Sequence, residues 1–196
     1  MQLLVNEETV LQWKDMSDEE FYEFCALNGD YRIERTAAGD ILIMPPAGGE
    51  TGSQNIDLAE QLQRWARRDG RGVAFDSSTG FHLPNGAFRS PDAAWVLRSR
   101  LAGLTREQKR RFLPLCPDFV VELTSPSDRL SKVEEKMREW MSNGARLGWI
   151  LDADNRRVHV YRAEGVEMLD GPAAVTGEGP VEGFVLDLAG IWDPGW

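Results

Sequence analysis

The chain has only two cysteines and two histidines in 196 residues, and that scarcity removes several chemistries at once. Cys25 and Cys116 lie far apart without metal-ligand spacing, so a disulfide framework or a zinc ribbon lacks material. His82 and His159 fall in separate hairpin-like segments, which leaves a histidine-based metal centre or a hydrolase triad unsupported. No long apolar run occurs, so no membrane partner is expected. The start, Met1-Gln2-Leu3-Leu4-Val5-Asn6-Glu7-Glu8, has no basic residue and turns acidic early, unlike an export signal. A reducing cytoplasm is the expected setting. No repeat, low-complexity block or Pro/Ser-rich linker divides the chain, so residues 1–196 are expected to form one domain.

Positive charge is also scarce. The net charge is −10, which counts against a broad phosphate-binding surface. Its distribution softens the objection: residues 64–111 carry eleven Lys and Arg against four Asp and Glu, and the remainder carries eleven against twenty-eight. Arg64, Arg67, Arg68, Arg71 and the Lys109-Arg110-Arg111 cluster read equally well as solvated helix ends.

Against these absences stands an excess of acids where apolar residues belong. Asp92 follows the hairpin signal Asn85-Gly86 and opens a strand over 91–96. Glu122 lies inside Phe119-Val120-Val121-Glu122-Leu123-Thr124, thirty residues later. Strand alternation puts Glu122 with Val120 and Thr124, and Asp92 with Ala94 and Val96. A carboxylate in such surroundings loses hydration, and a cation, a proton or hydrogen-bond donors must replace it. A helix over 129–143 has the stripe Leu130, Val133, Met137, Trp140 and Met141. On it Lys136 lies about 40° from Trp140 and can reach inward, Lys132 lies about 80° away, and Glu135 and Glu139 are expected to face out. Two carboxylates and a lysine at one sheet edge are the ingredients of a metal-dependent phosphodiesterase. The ordinary alternative is that Asp92 caps a turn, Glu122 pairs with an arginine and Lys136 lies along its helix.

The remaining pattern predicts a capped helix from Ser17 to Leu27 with Phe21, Phe24, Cys25 and Leu27 as apolar members, then strands over 31–34 and 40–44. The loop Gly48-Gly49-Glu50-Thr51-Gly52 has no Gly-Lys-Ser/Thr ending and reads as flexible, leading into a helix that buries Ile56, Leu58, Ala59, Leu62, Trp65 and Ala66. Short strands follow over 73–75 and 80–83, and Thr105 caps a short helix. Strands over 148–152 and 157–161 form a second hairpin, and the acidic tail adds edge strands over 166–169 and 184–188. Strand, helix and strand from 119 to 151 imply one parallel crossover. The fold class is therefore α/β (α+β): a mixed central sheet flanked by helices, with extra hairpins.

Several blocks carry a family resemblance: Pro46 to Gly52, Gly72 to Phe81, Ser90-Pro91-Asp92-Ala93-Ala94-Trp95-Val96, Cys116 to Leu123, Ser125-Pro126-Ser127-Asp128-Arg129-Leu130, Lys136 and Gly148-Trp149-Ile150-Leu151-Asp152. Together they resemble the Uma-type restriction endonucleases of the PD-(D/E)XK nuclease superfamily. The resemblance implies a restriction-endonuclease-like core in which Asp92, Glu122 and the Leu123 carbonyl hold Mg2+ or Mn2+. Lys136 would serve as the catalytic lysine moved onto the helix, because Thr124 occupies the Glu-x-Lys position. Glu34 and Glu50 are carried over as groups that orient a water. Nucleic acid, with DNA expected, is the implied substrate and a homodimer the implied assembly. A silent nucleic-acid-binding relative, or a dimeric interaction protein using tryptophans such as Trp13 or Trp196, are the competing readings.

Overall fold

A computed structural model describes residues 9–13, 15–126 and 128–195; the start over 1–8, Lys14, Ser127 and Trp196 lie outside them. The chain runs through Thr9–Gln12 (β1), the helix Asp18–Leu27 (α1), Arg32–Arg35 (β2), Asp40–Met44 (β3) and the helix Gly49–Asp69 (α2). Gly72–Asp76 (β4), Phe81–His82 (β5), Phe88–Arg89 (β6), Ala93–Leu97 (β7), the short helix Arg98–Ala102 (α3) and Phe119–Leu123 (β8) follow. The helix Leu130–Ser142 (α4) leads to Leu147–Asp152 (β9), Arg157–Arg162 (β10) and Gly165–Asp170 (β11). A small hairpin, Ala174–Thr176 (β12) and Val185–Asp187 (β13), precedes the final turn Ala189–Trp192 (α5).

The strands form two main sheets where one was expected. A six-stranded sheet has the order β11-β10-β9-β8-β7-β4, and β8 with β9 is its parallel pair. Parallel neighbours need a crossover of a dozen or more residues, which α4 supplies. The hairpin β2-β3 does not join this sheet. It forms a five-stranded one in the order β1-β3-β2-β6-β5, packed by α1 through Phe21 against Ile41, Ile43 and Phe88. Of the tail strands, β11 extends the edge of the large sheet, while β13 pairs with β12 in a separate ribbon. That ribbon buries Val175 and Leu186 in the main core, so apolar contact rather than sheet pairing holds the tail down.

All five residues of β8 are buried, and they serve two cores. Phe119, Val121 and Leu123 pack toward Leu58, Leu62 and Ala66 of α2 and toward the tail. Val120 packs the other way, toward Met137 and Trp140 of α4 and toward Phe81 and Leu83. This is the alternation read from the sequence. Local signals hold at α1, where Ser17 and Glu20 form a reciprocal capping box, and at Gly70, whose φ of 73° closes α2.

Others yield to tertiary packing. The glycine-rich stretch is helical from Gly49 onward, so α2 starts inside the expected loop. Ile56 is 71% exposed and Leu27 is 85% exposed. Ile56 lies about 200° from Leu58 around α2, so both cannot face one sheet. Thr105 and Gln108 cap each other as a helix start would, yet only the 3-10 turn Gln108–Arg110 follows.

Gly72 illustrates how tightly the large sheet is filled. A Cβ there would lie 2.1 Å from Cε2 of Trp95, an indole that is fully buried and has nowhere to retreat. Gly72→Ala is expected to destabilise the fold by about 1–3 kcal/mol through overpacking. Urea denaturation measures it, and an unchanged midpoint would show that the indole can shift.

Candidate active site

Asp92 and Glu122 meet because the start of β7 is latched to the end of β8. The Asp92 N–H donates to the Val121 carbonyl at 3.0 Å, and Asp92 Oδ2 accepts the Leu123 N–H at 2.7 Å. In an extended strand both backbone groups of one residue face the same neighbour, so the Leu123 carbonyl is directed to the Asp92 side. Glu122, one residue earlier, points to the opposite face and under α4. Both acids are buried, at 6% and 4% exposure.

Helix α4 brings the cation. Lys136 and Trp140 are one turn apart and share a face. Trp140 Nε1 donates to Glu122 Oε1 at 2.7 Å. Lys136 Nζ donates to Glu122 at 3.1 Å, to the Ser90 carbonyl at 2.8 Å and to Glu34 Oε1 at 2.9 Å. Glu34 comes from β2 in the other sheet, so one lysine ties both sheets and a helix together. Ser90 also donates its N–H to Glu34 at 3.2 Å.

Two arginines complete the cluster, and neither was anticipated. Arg32 lies two residues before Glu34 on β2 and therefore on the same face. Its Nη1 donates to Asp92 Oδ1 at 2.8 Å, its Nη2 donates to the Ser90 carbonyl and lies 3.4 Å from Glu34, and its Nε is buried without a partner. Arg89 of β6 donates to Glu34 Oε2 at 3.1 Å and to Glu139 at 2.6 Å. Glu139 thus faces the cluster rather than solvent, because Arg89 and the Asn85 side chain reach it. Thr124, in the Glu-x-Lys position, donates its hydroxyl to the Leu151 carbonyl instead of facing the acids.

Burial alone would push Glu34 up, but the charges of Lys136, Arg32 and Arg89 outweigh it and hold its carboxyl down near about 2. Glu122 goes the other way. Burial raises it to about 7, with the Asp92 and Glu34 charges adding to the effect and Lys136 and Arg32 only partly offsetting it. Arg32 is held above its usual value: burial would lower it, and Asp92, Glu34 and Glu122 together prevail. The cations therefore favour Glu34 and leave Glu122 short of positive charge.

Of the residues singled out in the sequence, Asp92, Glu122, Glu34 and Lys136 are brought together, with the Leu123 backbone beside them. Glu50 is not. It is exposed on the first turn of α2 and makes no hydrogen bond or ion pair with the cluster, so its expected role in orienting water has no geometric support. Lys132 is 69% exposed and pairs with Glu135, as the helix geometry implied. Among the described residues, no group of three or more His, Cys, Asp or Glu side chains converges to hold a metal ion. Asp92 and Glu122 offer two hard carboxylates beside a carbonyl, a donor set that suits Mg2+ or Mn2+ completed by water and substrate phosphate and does not suit zinc. The signal for Arg32 and Arg89 was present in the sequence as charges within or beside apolar strand runs, but nothing local said which acid each would meet.

The two shifted carboxyls make opposite demands on stability. Glu34 sits below its ordinary 4.5, so its contribution, on the order of 3 kcal/mol, is complete above pH 4.5 and is lost as pH falls toward 2. Glu122 sits above 4.5, so the fold favours its protonated form and loses stability as pH rises from 4.5 through 7. Chemical denaturation across pH should show Glu34→Gln flattening the acid limb. Glu122→Gln should abolish the decline between pH 4.5 and 7, and parallel curves for wild type and variants would contradict the assignments.

The chain resembles a crystal structure of a putative nuclease belonging to DUF820 from Anabaena variabilis, with a TM-score of 0.69, 19% identity, and coverage of 82% of this chain and 89% of that one. At that identity the likeness establishes the fold, which is restriction-endonuclease-like. No curated protein matches the chain. The family described as "Uma2: Putative restriction endonuclease" matches residues 18–189, which takes in every member of the cluster. With most of its length so matched, the chain belongs to that family of restriction-endonuclease-like nucleases.

Proposed function

We propose that the protein is a Mg2+- or Mn2+-dependent endonuclease that hydrolyses phosphodiester bonds in nucleic acid, with DNA as the expected substrate. The observation that carries this reading is the burial of Glu122 and Asp92 together at the joined ends of β7 and β8, with Lys136 and Trp140 on Glu122 and the Leu123 N–H on Asp92, where burial raises the Glu122 carboxyl and leaves room for further positive charge. A divalent ion between Asp92 and Glu122, with the Leu123 carbonyl on the same side, supplies that charge. When bound, such an ion polarises a phosphodiester oxygen and makes water more acidic.

The chain's own groups do the rest. Lys136 Nζ, fixed by Glu34, Glu122 and the Ser90 carbonyl, is positioned to orient an attacking water or to neutralise charge that develops on phosphorus. Glu34 stays ionised and keeps that ammonium aimed. Arg32 holds Asp92 in the arrangement described, and its side chain is 27% exposed, so it can turn from Asp92 to a substrate phosphate when a metal takes its place.

The Arg32–Asp92 pair also favours a second reading, in which the cluster only joins the two sheets and the protein binds nucleic acid without turnover. Mn2+ distinguishes the two. On the nuclease reading Mn2+ raises the melting temperature, and more so as pH rises from about 5.5 to 8, because a proton on Glu122 competes with the ion. Arg32→Ala should strengthen Mn2+ binding and Asp92→Asn should abolish it, as read by titration calorimetry. Absence of any heat in wild type and Arg32→Ala alike would leave only the structural cluster.

Cleavage gives the companion test. Asp92→Asn or Glu122→Gln is expected to reduce metal-dependent cleavage of DNA by at least ~10²-fold, and Lys136→Ala to do more harm than Lys132→Ala. Variants that cut as fast as wild type would remove the cluster from the chemistry.

A further inference from the structure

The positive surplus between residues 64 and 111 resolves into three groups, apart from Arg98, which donates to the Gly70 and Gly72 carbonyls, and the exposed Arg106, which does not line the groove described below. Arg64, Arg71, Arg89, Arg100 and Arg111 are neutralised within the fold by Glu60, Asp69, Glu34 with Glu139, Asp118 and Glu19 respectively. Arg67 and Arg68 are exposed on the last turn of α2 with no ion pair among the described residues. They lie at the wrong end: β4 runs antiparallel to β7, with Gly72 opposite Leu97 and Asp76 opposite Ala93, so the residues before Gly72 sit far from Asp92.

Lys109 and Arg110 are the third group, exposed and without an ion pair among the described residues, and their placement differs. They line a groove of about 370 Å³ together with Tyr22, Phe75, Thr79 and Phe112. Phe75 lies at, and Thr79 just beyond, the end of β4 that pairs beside Asp92. The neighbouring Arg111 is anchored by Glu19 and lies 4.2 Å above the Tyr22 ring, which fixes the segment. Leu113 then forms a single parallel bridge to Phe81 of β5, donating to the Gly80 carbonyl at 2.9 Å and accepting from the His82 N–H at 2.8 Å. Strand β5 pairs with β6, whose Arg89 holds Glu34. Two strand spacings of roughly 4.8 Å put Leu113 about 10 Å from Arg89, so the segment that carries Lys109 and Arg110 leads up to the edge of the sheet that holds Arg89.

We propose that this groove docks the sugar-phosphate backbone of the nucleic-acid substrate, with Lys109 and Arg110 taking phosphates that flank the bond that is cut. In a protein of net charge −10, most of the surface repels a polyanion, so a groove carrying two exposed cations that have no ion pair among the described residues offers a strand a favourable place to lie. The inference rests on the phosphodiesterase reading of the acid cluster for its substrate, but its test does not need catalysis.

The experiment is fluorescence anisotropy in EDTA, across a range of salt concentrations, with labelled 30-base-pair duplex DNA and with single-stranded DNA and RNA of the same length. Wild type, Lys109→Ala/Arg110→Ala and the charge-matched control Arg67→Ala/Arg68→Ala are compared. Neither pair makes an ion pair among the described residues, so melting temperatures should match wild type. On at least one probe the groove variant should bind roughly tenfold more weakly, and the slope of log K against log salt should fall by about 2, while the control keeps the wild-type slope. The probe showing that loss names the substrate. An unchanged slope in the groove variant, an equal loss in the control, or no binding by wild type overturns the proposal. Metal-dependent cleavage that survives the groove substitutions also overturns it and leaves the acid cluster standing. Groove-dependent binding without cleavage does the reverse.

Discussion

Everything near the ends of β2, β6, β7 and β8 depends on one electrostatic constraint: three carboxylates buried together must be matched by buried cations. Glu34, Asp92 and Glu122 meet Arg32, Arg89 and Lys136 in a space from which most water is excluded. An isolated charge there is costly, and a matched one is tolerated only where hydrogen bonds complete the pairing. The partners come from two sheets and a helix, so the cluster sets how the five-stranded and six-stranded sheets abut as well as where chemistry can occur.

Helix α4 shows how the same residues serve packing and charge. Met137 and Trp140 roof the large sheet, and Gly148 is kept without a side chain because its Cβ would sit 2.2 Å from the Met137 sulfur. That close seating lets the Trp140 N–H and the Lys136 ammonium reach Glu122 from one face. Displacing the helix by even part of a turn would separate the lysine from all three of its acceptors. Rigid seating of this kind is what a site requires when its groups must be held in place before substrate arrives.

The acids balance unevenly, and the imbalance is directional. Glu34 receives most of the cationic contact and stays ionised, whereas Glu122 is left under-compensated beside Asp92. Neighbouring carboxyls pushed apart in this way take different roles, one fixing a cation and the other open to a proton or a metal. The surface follows a related logic: most positive charge in the basic segment is neutralised internally, which leaves few cations free to meet a polyanion.

The sequence by itself determined the strand over 119–124, its alternation, the α4 stripe and the parallel crossover, because hydrophobic periodicity and chain connectivity are local properties. It also showed Asp92, Glu122 and Lys136 as a group, since a charge inside an apolar run stands out without reference to anything distant. It misplaced the start of α2, Ile56 and Glu139, and it left Glu50 with a role the geometry does not support. Only the tertiary structure decided that Arg32 and Arg89 enter the cluster, that Glu34, singled out by the family resemblance, meets Lys136 and Arg89 while Glu50 does not, and that Lys109 and Arg110 rather than Arg67 and Arg68 lie at its end of the sheet. Those outcomes depend on which strands become neighbours, and the energy of a buried ion pair depends on a partner fifty or more residues away that no local pattern names.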